Sequence, residues 1–597
     1  MSKKKVPIDL TSRDFRSLRA DLIEYAKRYY PNTYKDFNEA SFGSLTIDTV
    51  AYTGDILSFY LDYQTNESFF DTAVEYNNII KHGRSRGYKF RGSPSSHGPL
   101  TLYVIVPAKA VGLGPDTDYL PILLRGSELA STSGNGYILN ENVDFSDPNN
   151  EIVVAAADET TGVPTFYAVK AKGQVISGEM VEETFEIGNF EEFRRVPLSG
   201  ENIAEVMSCI DSEGHDYFEV DYLSQNVVYA SAINRSSDSV AAPSVLKPLI
   251  VPRRFTVEQD DDSTYLQFGF GSQEEIKLSS VADPSSVVMR VHGKDYISDD
   301  SFDPSKLLST DKFGVAPGNT TLRVAYRKNN TDNVNAATDT VTEVVSPDFE
   351  FANSISLDSA KLSEVMNSLE ITNESPITGD VSAPSSTELK RRIMDVYASQ
   401  NRAVTKQDYK SVVYQMPPQF GAVKRVNLIQ DNDSFKRNLN MYVISEDQSG
   451  VLTETAATIK NNLKVWLNKN KMINDTIDIL DAKIVNIGIE FEVIAESEQN
   501  KYSALKDASD RLRELFEDHM DISEPFSITK IYSTLNGVDG IADVVNVRIK
   551  KMVGADYSST RFDIEENTSP DGRYISVPDD VILEIKYPRV DIIGSTR

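Results

Sequence analysis

The sequence predicts a multidomain α+β protein, and three observations carry that reading. A helical period runs through residues 8 to 80, short β-branched runs broken by Gly, Asn, Asp and Pro fill the middle, and a helix–turn–strand unit occurs twice in the last third. A chain of 597 residues exceeds what one core organises, so several domains are expected. The expected division is an N-terminal helical region (1–95), a β-rich domain (96–250), a second β domain (251–345), a linker (346–385) and two α/β modules (386–480 and 481–597).

Thr11-Ser12-Arg13-Asp14 offers capping side chains ahead of Phe15, Leu18, Leu22, Ile23 and Tyr25, and Pro31 ends this first helix. In the next helix Leu45, Thr49, Tyr52, Ile56, Phe59 and Tyr63 recur at alternating steps of four and three, a heptad-like seam. Ile47, Val50, Leu57, Tyr60 and Leu61 widen the apolar surface beyond one stripe. Such a helix packs on its own domain or in a bundle with other chains, and the pattern leaves both open. From Arg84 to Gly98 no apolar period survives, which reads as a linker or extended loop.

Leu100 to Val106, Tyr167 to Ala171 and Tyr217 to Val220, separated by turn residues, have the rhythm of antiparallel β domains. The join at 346–385 is rich in Ser, Asp, Glu and Pro, with a short helix expected near Ser359 to Leu369.

The helix–turn–strand unit is sharpest at Thr405. Its hydroxyl can accept from the backbone N–H three residues on, Asp408 can answer, and Tyr409, Val412, Val413 and Met416 follow at helical spacing. Met416-Pro417-Pro418 cannot continue the helix, Gly421 lets the backbone reverse, and Val423 to Ile429 reads as a strand. The second copy runs from Phe526-Ser527-Ile528-Thr529 through Gly537 and Gly540 to Ala542–Ile549. Between them lie an amphipathic helix with Ile459, Leu463, Trp466 and Leu467, a strand over Lys483–Val493 and a helix over Ala504–His519.

Sixty-one basic against 90 acidic residues gives a formal charge of −29, which repels phosphate backbones and anionic lipid alike, so neither nucleic acid nor membrane is expected as a partner. Residues 1 to 95 hold 14 basic and 12 acidic side chains, so that region meets a different environment from the rest. The lone Cys209 excludes an intramolecular disulfide and suits a reducing cytoplasm; its flanks place it as a buried, inert thiol in a strand. No run approaches about 18 apolar residues and the start, Lys3-Lys4-Lys5, lacks a signal peptide's apolar stretch.

No catalytic site can be assembled. His82, His97, His215, His292 and His519 show no metal-binding spacing, and Gly293-Lys294 lacks an upstream glycine loop. Phe268-Gly269-Phe270-Gly271 ends a strand and reads as a tight β-turn rather than a phosphate loop. Asp260-Asp261-Asp262 and Asp431-Asn432-Asp433 sit where hairpin turns are expected and lack the glycine and glutamate of a calcium loop. Glu182-Glu183 and Glu191-Glu192 read as solvated faces. No cofactor, metal or enzymatic activity is expected. Arg253, Arg254 and the pair Arg194-Arg195 are basic islands in acidic surroundings, suited to internal ion pairs or to docking an acidic neighbour.

The repeated unit, together with Asp211-Ser212-Glu213-Gly214, Val251-Pro252-Arg253-Arg254-Phe255, Leu266-Gln267-Phe268-Gly269-Phe270-Gly271 and Phe313 to Leu322 in that order, resembles the baseplate J-like family, in particular the wedge proteins of T-even-type contractile-tailed phages. The resemblance implies a non-enzymatic subunit of the virion tail baseplate, assembled in the host cytoplasm, that links wedges into a ring around the tail tube and relays the change that triggers sheath contraction. It implies self-association as two copies per wedge with ring contacts between wedges, other wedge proteins as partners, and the sheath initiator and central hub as further neighbours. It also implies that Leu45, Tyr52, Ile56, Phe59 and Tyr63 face an intermolecular helical bundle. The alternative reading, from 28 tyrosines, many carboxylates and a β-rich middle, is a secreted or surface glycan-binding or glycan-cleaving protein.

Overall fold

The computed structural model describes residues 14–32, 38, 41–90, 92–109, 114–158, 162–234, 244–259, 263–272, 313–352, 357–379, 381–431, 438–496 and 501–596. They fall into two units, residues 1–88 with 386–393, and 89–385 with 394–597. An N-terminal helical segment, a β-rich body and C-terminal α/β modules make the protein a multidomain α+β molecule.

In the first unit α1 (Phe15–Tyr29) starts at Asp14, whose carboxylate accepts from Ser17 N, and it stops just before Pro31. α2 (Phe42–Ser68) is 27 residues long, about 40 Å, with Ser41 as its N-cap. α3 (Tyr76–Ser85) buries Ile79, Ile80 and Gly83. The start of α4 (Ser386–Ser399) closes this small core, with Leu389 and Ile393 fully buried and Ile393 pressed against Gly83. Glu67, at the end of α2, is buried and accepts from Val74 N at 2.8 Å and Asn78 Nδ2 at 2.9 Å, fixing the turn into α3.

The second unit begins with β1 (His97–Pro107). It pairs antiparallel with β3 (Pro164–Ser177), and β2 (Glu151–Ala157) lies along the first half of β3 on its other side. Strands Gly136–Leu139, Glu128–Ser131 and Val341–Ser346 continue this sheet on one flank and Glu370–Thr372 closes it beside β1. A second β body is inserted between these strands. There β8 (Thr320–Lys328) pairs with both β4 (Glu179–Ile187) and β5 (Ile203–Asp211), while Phe218–Glu219, Arg254–Gln259, Thr264–Phe268 and Arg195–Leu198 form a neighbouring sheet. β6 (Val227–Ile233) and β7 (Ser244–Ile250) pair only with each other.

The strands therefore do not part at residue 250. β4 and β5, from the expected first β domain, pair with β8 from the second, so one β domain is nested in the other. Segment 346–385 is not a linker either: Glu370–Thr372 pairs with β1, and Thr378 N–H and carbonyl both bond His97. Local periodicity identifies strands but carries no signal for pairing between residues more than 100 positions apart. The Phe268–Gly271 run, expected as a tight β-turn, is a bend at the strand's end held by a close crossing. A Cβ on Gly269 would collide with the carbonyl oxygens of Phe313 and Gly314, and Gly271 bridges Val315 in parallel.

The first helix–turn–strand unit matches its expectation. Thr405 Oγ1 accepts from Asp408 N and the Asp408 carboxylate from Thr405 N at 2.8 Å, a complete capping box at the head of α5 (Lys406–Tyr414). A 3₁₀ turn at Pro418–Phe420 and Gly421 at φ 88° lead to β9 (Arg425–Gln430). β9 pairs antiparallel with β10 (Asn438–Glu446); α6 (Ala457–Asn468) then crosses to β11 (Thr476–Asp481), parallel to β10. Tyr409, Val412 and Val413 pack on Val426, Met441, Ile459 and Leu463, each contributing about 1.5–3 kcal/mol on burial.

The second module repeats the neighbours but not the order. Its central strand β12 (Lys483–Ala495) comes first, then α7 (Lys501–Leu515), which ends four residues short of His519. α8 (Ile528–Asn536), capped by Ser527, leads through Gly540 to β13 (Ile541–Lys551), antiparallel to β12, and β14 (Ile592–Thr596) is parallel to it. In both modules a central strand has an antiparallel neighbour delivered by the helix–turn–strand unit and a parallel one on its other side. That unit precedes the central strand in the first module and follows it in the second, so the repeat is one of sheet plan, with the chain order permuted.

Candidate functional site

α2 is the feature of this chain that its own fold does not use up. Beyond the cap, α1 is pinned to its first half: Arg19 Nε meets the Asp48 carboxylate at 2.5 Å, Arg19 Nη2 meets Ser44 Oγ at 3.2 Å, and Leu18 packs on Gly54. Only Ser44, Ala51 and Glu67 of the helix are buried. Leu45, Tyr52, Ile56, Phe59 and Tyr63 are 61%, 59%, 36%, 65% and 38% exposed, and Phe42, Val50, Leu57, Tyr60 and Leu61 are exposed as well. The apolar residues run round the helix, a pattern that water does not tolerate on an uncovered surface. Its five aromatics alone present on the order of 600 Å² of ring surface.

Within this surface the rings are already ordered. Phe59 and Tyr63 stack at 6.3 Å between centroids, and Tyr63 Oη donates to the Glu75 carboxylate at 2.6 Å, a bond that pushes the phenol up to about 12. Of the seam residues, Tyr63 thus has a partner inside the unit, while Leu45, Tyr52, Ile56 and Phe59 present apolar surface outward. No helix among the described residues is long and apolar enough to cross a membrane, so a lipid span does not account for α2.

The other expected positions resolve differently. Arg254 is fully buried; its Nε donates to the Leu223 carbonyl at 2.7 Å and Nη1 to the Val251 carbonyl at 2.9 Å, so it is an internal strut and not a docking residue. An Arg can be buried there because two backbone acceptors converge on its fork. Arg253 is half-buried next to Tyr217. Arg194 and Arg195 make internal pairs with Glu191 and Glu258. Cys209 is buried, and burial pushes its thiol up to about 12, which leaves it unreactive.

Asp260 to Asp262, Asn432, Asp433, His292 and Gly293-Lys294 lie outside the described residues. Among the described residues no three His, Cys, Asp or Glu side chains converge as metal ligands. His97 is buried at the junction of β1 with the first α/β module, where its Nε2 meets the Gln419 carbonyl at 3.1 Å.

Two features escaped the sequence reading: the edge strand β2 and the ribbon β6–β7. Ile152-Val153-Val154 and Val227-Val228-Tyr229 are β-branched or aromatic runs and mark strands, but nothing local says that such a strand lacks a neighbour.

Residues 14–85, which contain α1, α2 and α3, match the family model described as bacteriophage baseplate protein, N-terminal domain. The helical segment is thus similar to a baseplate domain. Among solved structures, the six-fold symmetrised cryo-EM structure of the anti-feeding prophage baseplate aligns at 10% identity and a TM-score of 0.23, covering 96% of this chain and 98% of that one. The TssK-TssF-TssG baseplate subcomplex of a type VI secretion system aligns at 8% identity and a TM-score of 0.23, covering 74% and 96%. The search of curated proteins found no match.

Proposed function

We propose that this chain is a structural wedge subunit of a contractile-tail baseplate, linking wedges into a ring around the tail tube and relaying the rearrangement that triggers sheath contraction. In this reading α2 is completed by helices of neighbouring chains, two copies of the subunit joining an elongated wedge partner, and Leu45, Tyr52, Ile56 and Phe59 form its buried seam. The α/β modules make like-with-like contacts that close the ring, with sheath initiator and central hub as further neighbours, and no covalent chemistry is involved. The observation that carries it is a 27-residue helix that, apart from the side α1 packs on, leaves apolar residues exposed along its length among the described residues, inside the segment that matches a baseplate domain.

Sedimentation velocity of the chain mixed with the other wedge proteins of the same tail tests this. Ile56→Asp puts a carboxylate into the seam and should abolish co-sedimentation while circular dichroism stays unchanged, because the β and α/β bodies have cores of their own. Normal co-sedimentation of the variant would remove α2 from the interface.

A further inference from the structure

In a chain of formal charge −29, a groove of the second α/β module is lined by four cations. It holds about 1150 Å³ between the end of β13, α8 and residues 561–575. Arg548, Lys550, Lys551 and Arg561 line it, against Asp563 and Glu565. Asp563 is turned to the Glu565 and Glu566 amides, as the cap of a short helix (Ile564–Asn567). Lys550 meets the Glu490 carboxylate and Lys551 Nζ donates to the Thr560 carbonyl. Arg548 and Arg561 are exposed, and neither has an ion pair or hydrogen bond among the described residues. The floor is apolar: Tyr532, Phe562 and Ile564 lie half-buried on the core of the module.

β13 is an edge strand, with β12 as its one neighbour among the described residues. Its peptide groups alternate in direction, and its register with β12 is regular from Asn546 to Lys551. Met552 N–H, just past its end, points to β12 and donates to the Asn486 carbonyl at 2.9 Å; Val547 N–H points the other way and donates to Tyr532 Oη at 3.0 Å. Ile549 has the parity of Val547. Its N–H and carbonyl therefore face the groove, and neither has a partner among the described residues. An open edge of this kind is a template for another strand.

We propose that the groove takes an extended acidic segment of a different protein, added beside β13 at Ile549, with its carboxylates on Arg548 and Arg561 and its apolar residues on Tyr532, Phe562 and Ile564. Charge selects this occupant. Two guanidiniums without partners repel a cationic strand and match carboxylates, while the backbone of Ile549 supplies the main-chain bonds of strand addition. Register disfavours the same edge of a second copy. Tyr532 already holds Val547 N–H, so the edge is open from Arg548 to Lys551, and a two-fold pairing centred on Ile549 sets Arg548 opposite Lys550 twice, cation against cation. The charge of −29 over the whole chain keeps a long polyanion away, whereas a short segment with two or three carboxylates meets the groove alone. None of this rests on the wedge reading of α2.

Fluorescence anisotropy with the full chain tests the proposal, with a labelled peptide Ser-Glu-Val-Glu-Val-Glu-Ser as the probe. The peptide should bind saturably. Its counterpart with Lys for Glu should bind at least tenfold more weakly, and N-methylation of its backbone amides should cost at least fivefold. Arg548→Glu combined with Arg561→Glu should weaken binding at least tenfold with circular dichroism unchanged, because both side chains are exposed, and Ile56→Asp should bind as the wild type does. No saturable binding up to about 1 mM would overturn the proposal, and so would binding indifferent to the double variant or to N-methylation. Self-association in sedimentation velocity that the double variant abolishes would overturn it in favour of a second copy, and displacement of the peptide by an equal concentration of a DNA oligonucleotide would overturn it in favour of any polyanion.

Discussion

Lys424 Nζ and the Glu446 carboxylate meet at 2.6 Å with both side chains almost wholly out of water. The carboxylate also accepts from Ser382 N at 2.9 Å and lies 3.2 Å from His519 Nε2, so one buried charge gathers the segment before α4, the start of β9, the end of β10 and the loop after α7. Replacing it by an uncharged residue strands the ammonium. Glu446→Ala should destabilise the C-terminal half by about 3–5 kcal/mol, whereas Glu446→Leu with Lys424→Met should recover much of the loss. Urea unfolding followed through Trp466, the single tryptophan, reads both. Equal loss in single and double variants would mean that the pair is not coupled.

Two buried groups contribute to the acid limit. Burial pushes His97 down from 6.5 to about 4, so the unfolded chain takes up that proton first; the stabilisation is complete above pH 6.5 and is lost as pH falls from 6.5 towards 4. Burial alone would raise Glu446, but the hydrogen bond from His519 and the charge of Lys424 outweigh it and hold the carboxyl at about 2. Its contribution is present above pH 4.5 and lost between 4.5 and 2. Each is worth roughly 3 kcal/mol. Melting temperature should therefore fall in two steps on acidification, and His97→Asn should flatten the upper step alone. A variant with the upper step intact would assign that step to another group.

The helix–turn–strand units were legible because each is local: Thr405, Asp408, the two prolines and Gly421 all lie within 17 positions. The α2 seam was legible as a pattern, but whether it faces its own domain or another chain depends on what surrounds it, which no periodicity encodes. The nesting of the β bodies and the role of Arg254 were not legible, since both rest on partners brought together by tertiary pairing. Arg254 read as an internal ion pair or a docking charge because nothing in the chain marks the convergence of the Leu223 and Val251 carbonyls.

The Thr405 cap gives a small, local prediction. Thr405→Ala removes one arm of the capping box and should cost about 1 kcal/mol, seen as faster amide exchange in the first turn of α5 with the rest of the chain unchanged. Exchange at Lys406 to Asp408 that does not respond would mean that the helix is nucleated by its packing on β9 and β10.

Gly269 tests the close crossing in the inserted β body. A Cβ there cannot avoid the carbonyl oxygens of Phe313 and Gly314, which belong to the backbone and cannot rotate away. Gly269→Ala should therefore cost more than about 3 kcal/mol, out of proportion to a single methyl group, through displacement of the Gly271–Val315 bridge. Limited proteolysis should show new cleavage in the inserted body only. A variant as resistant as the wild type would show that the two segments do not cross there.

The last prediction concerns the root of the β6–β7 ribbon, where Val251 N–H also donates to the Asn226 carbonyl at 2.9 Å and Gln225 Nε2 to the Val227 carbonyl at 3.0 Å. Arg254→Ala takes two charge-assisted hydrogen bonds from buried carbonyls, each worth about 1.5–3 kcal/mol, and empties a space filled against Gly314. Arg254→Lys keeps the charge but not the fork, and a single ammonium is a poor match for two acceptors placed on opposite legs of the ribbon. Both variants should raise amide exchange in β6 and β7, with Ala the larger effect, while exchange in β1, β3 and the α/β modules stays as it was. That locality distinguishes a root pin from a general core residue. Exchange rising evenly across the inserted β body would make Arg254 part of its core, and exchange unchanged in β6 and β7 would leave the ribbon held by Gln225 and Val251 alone.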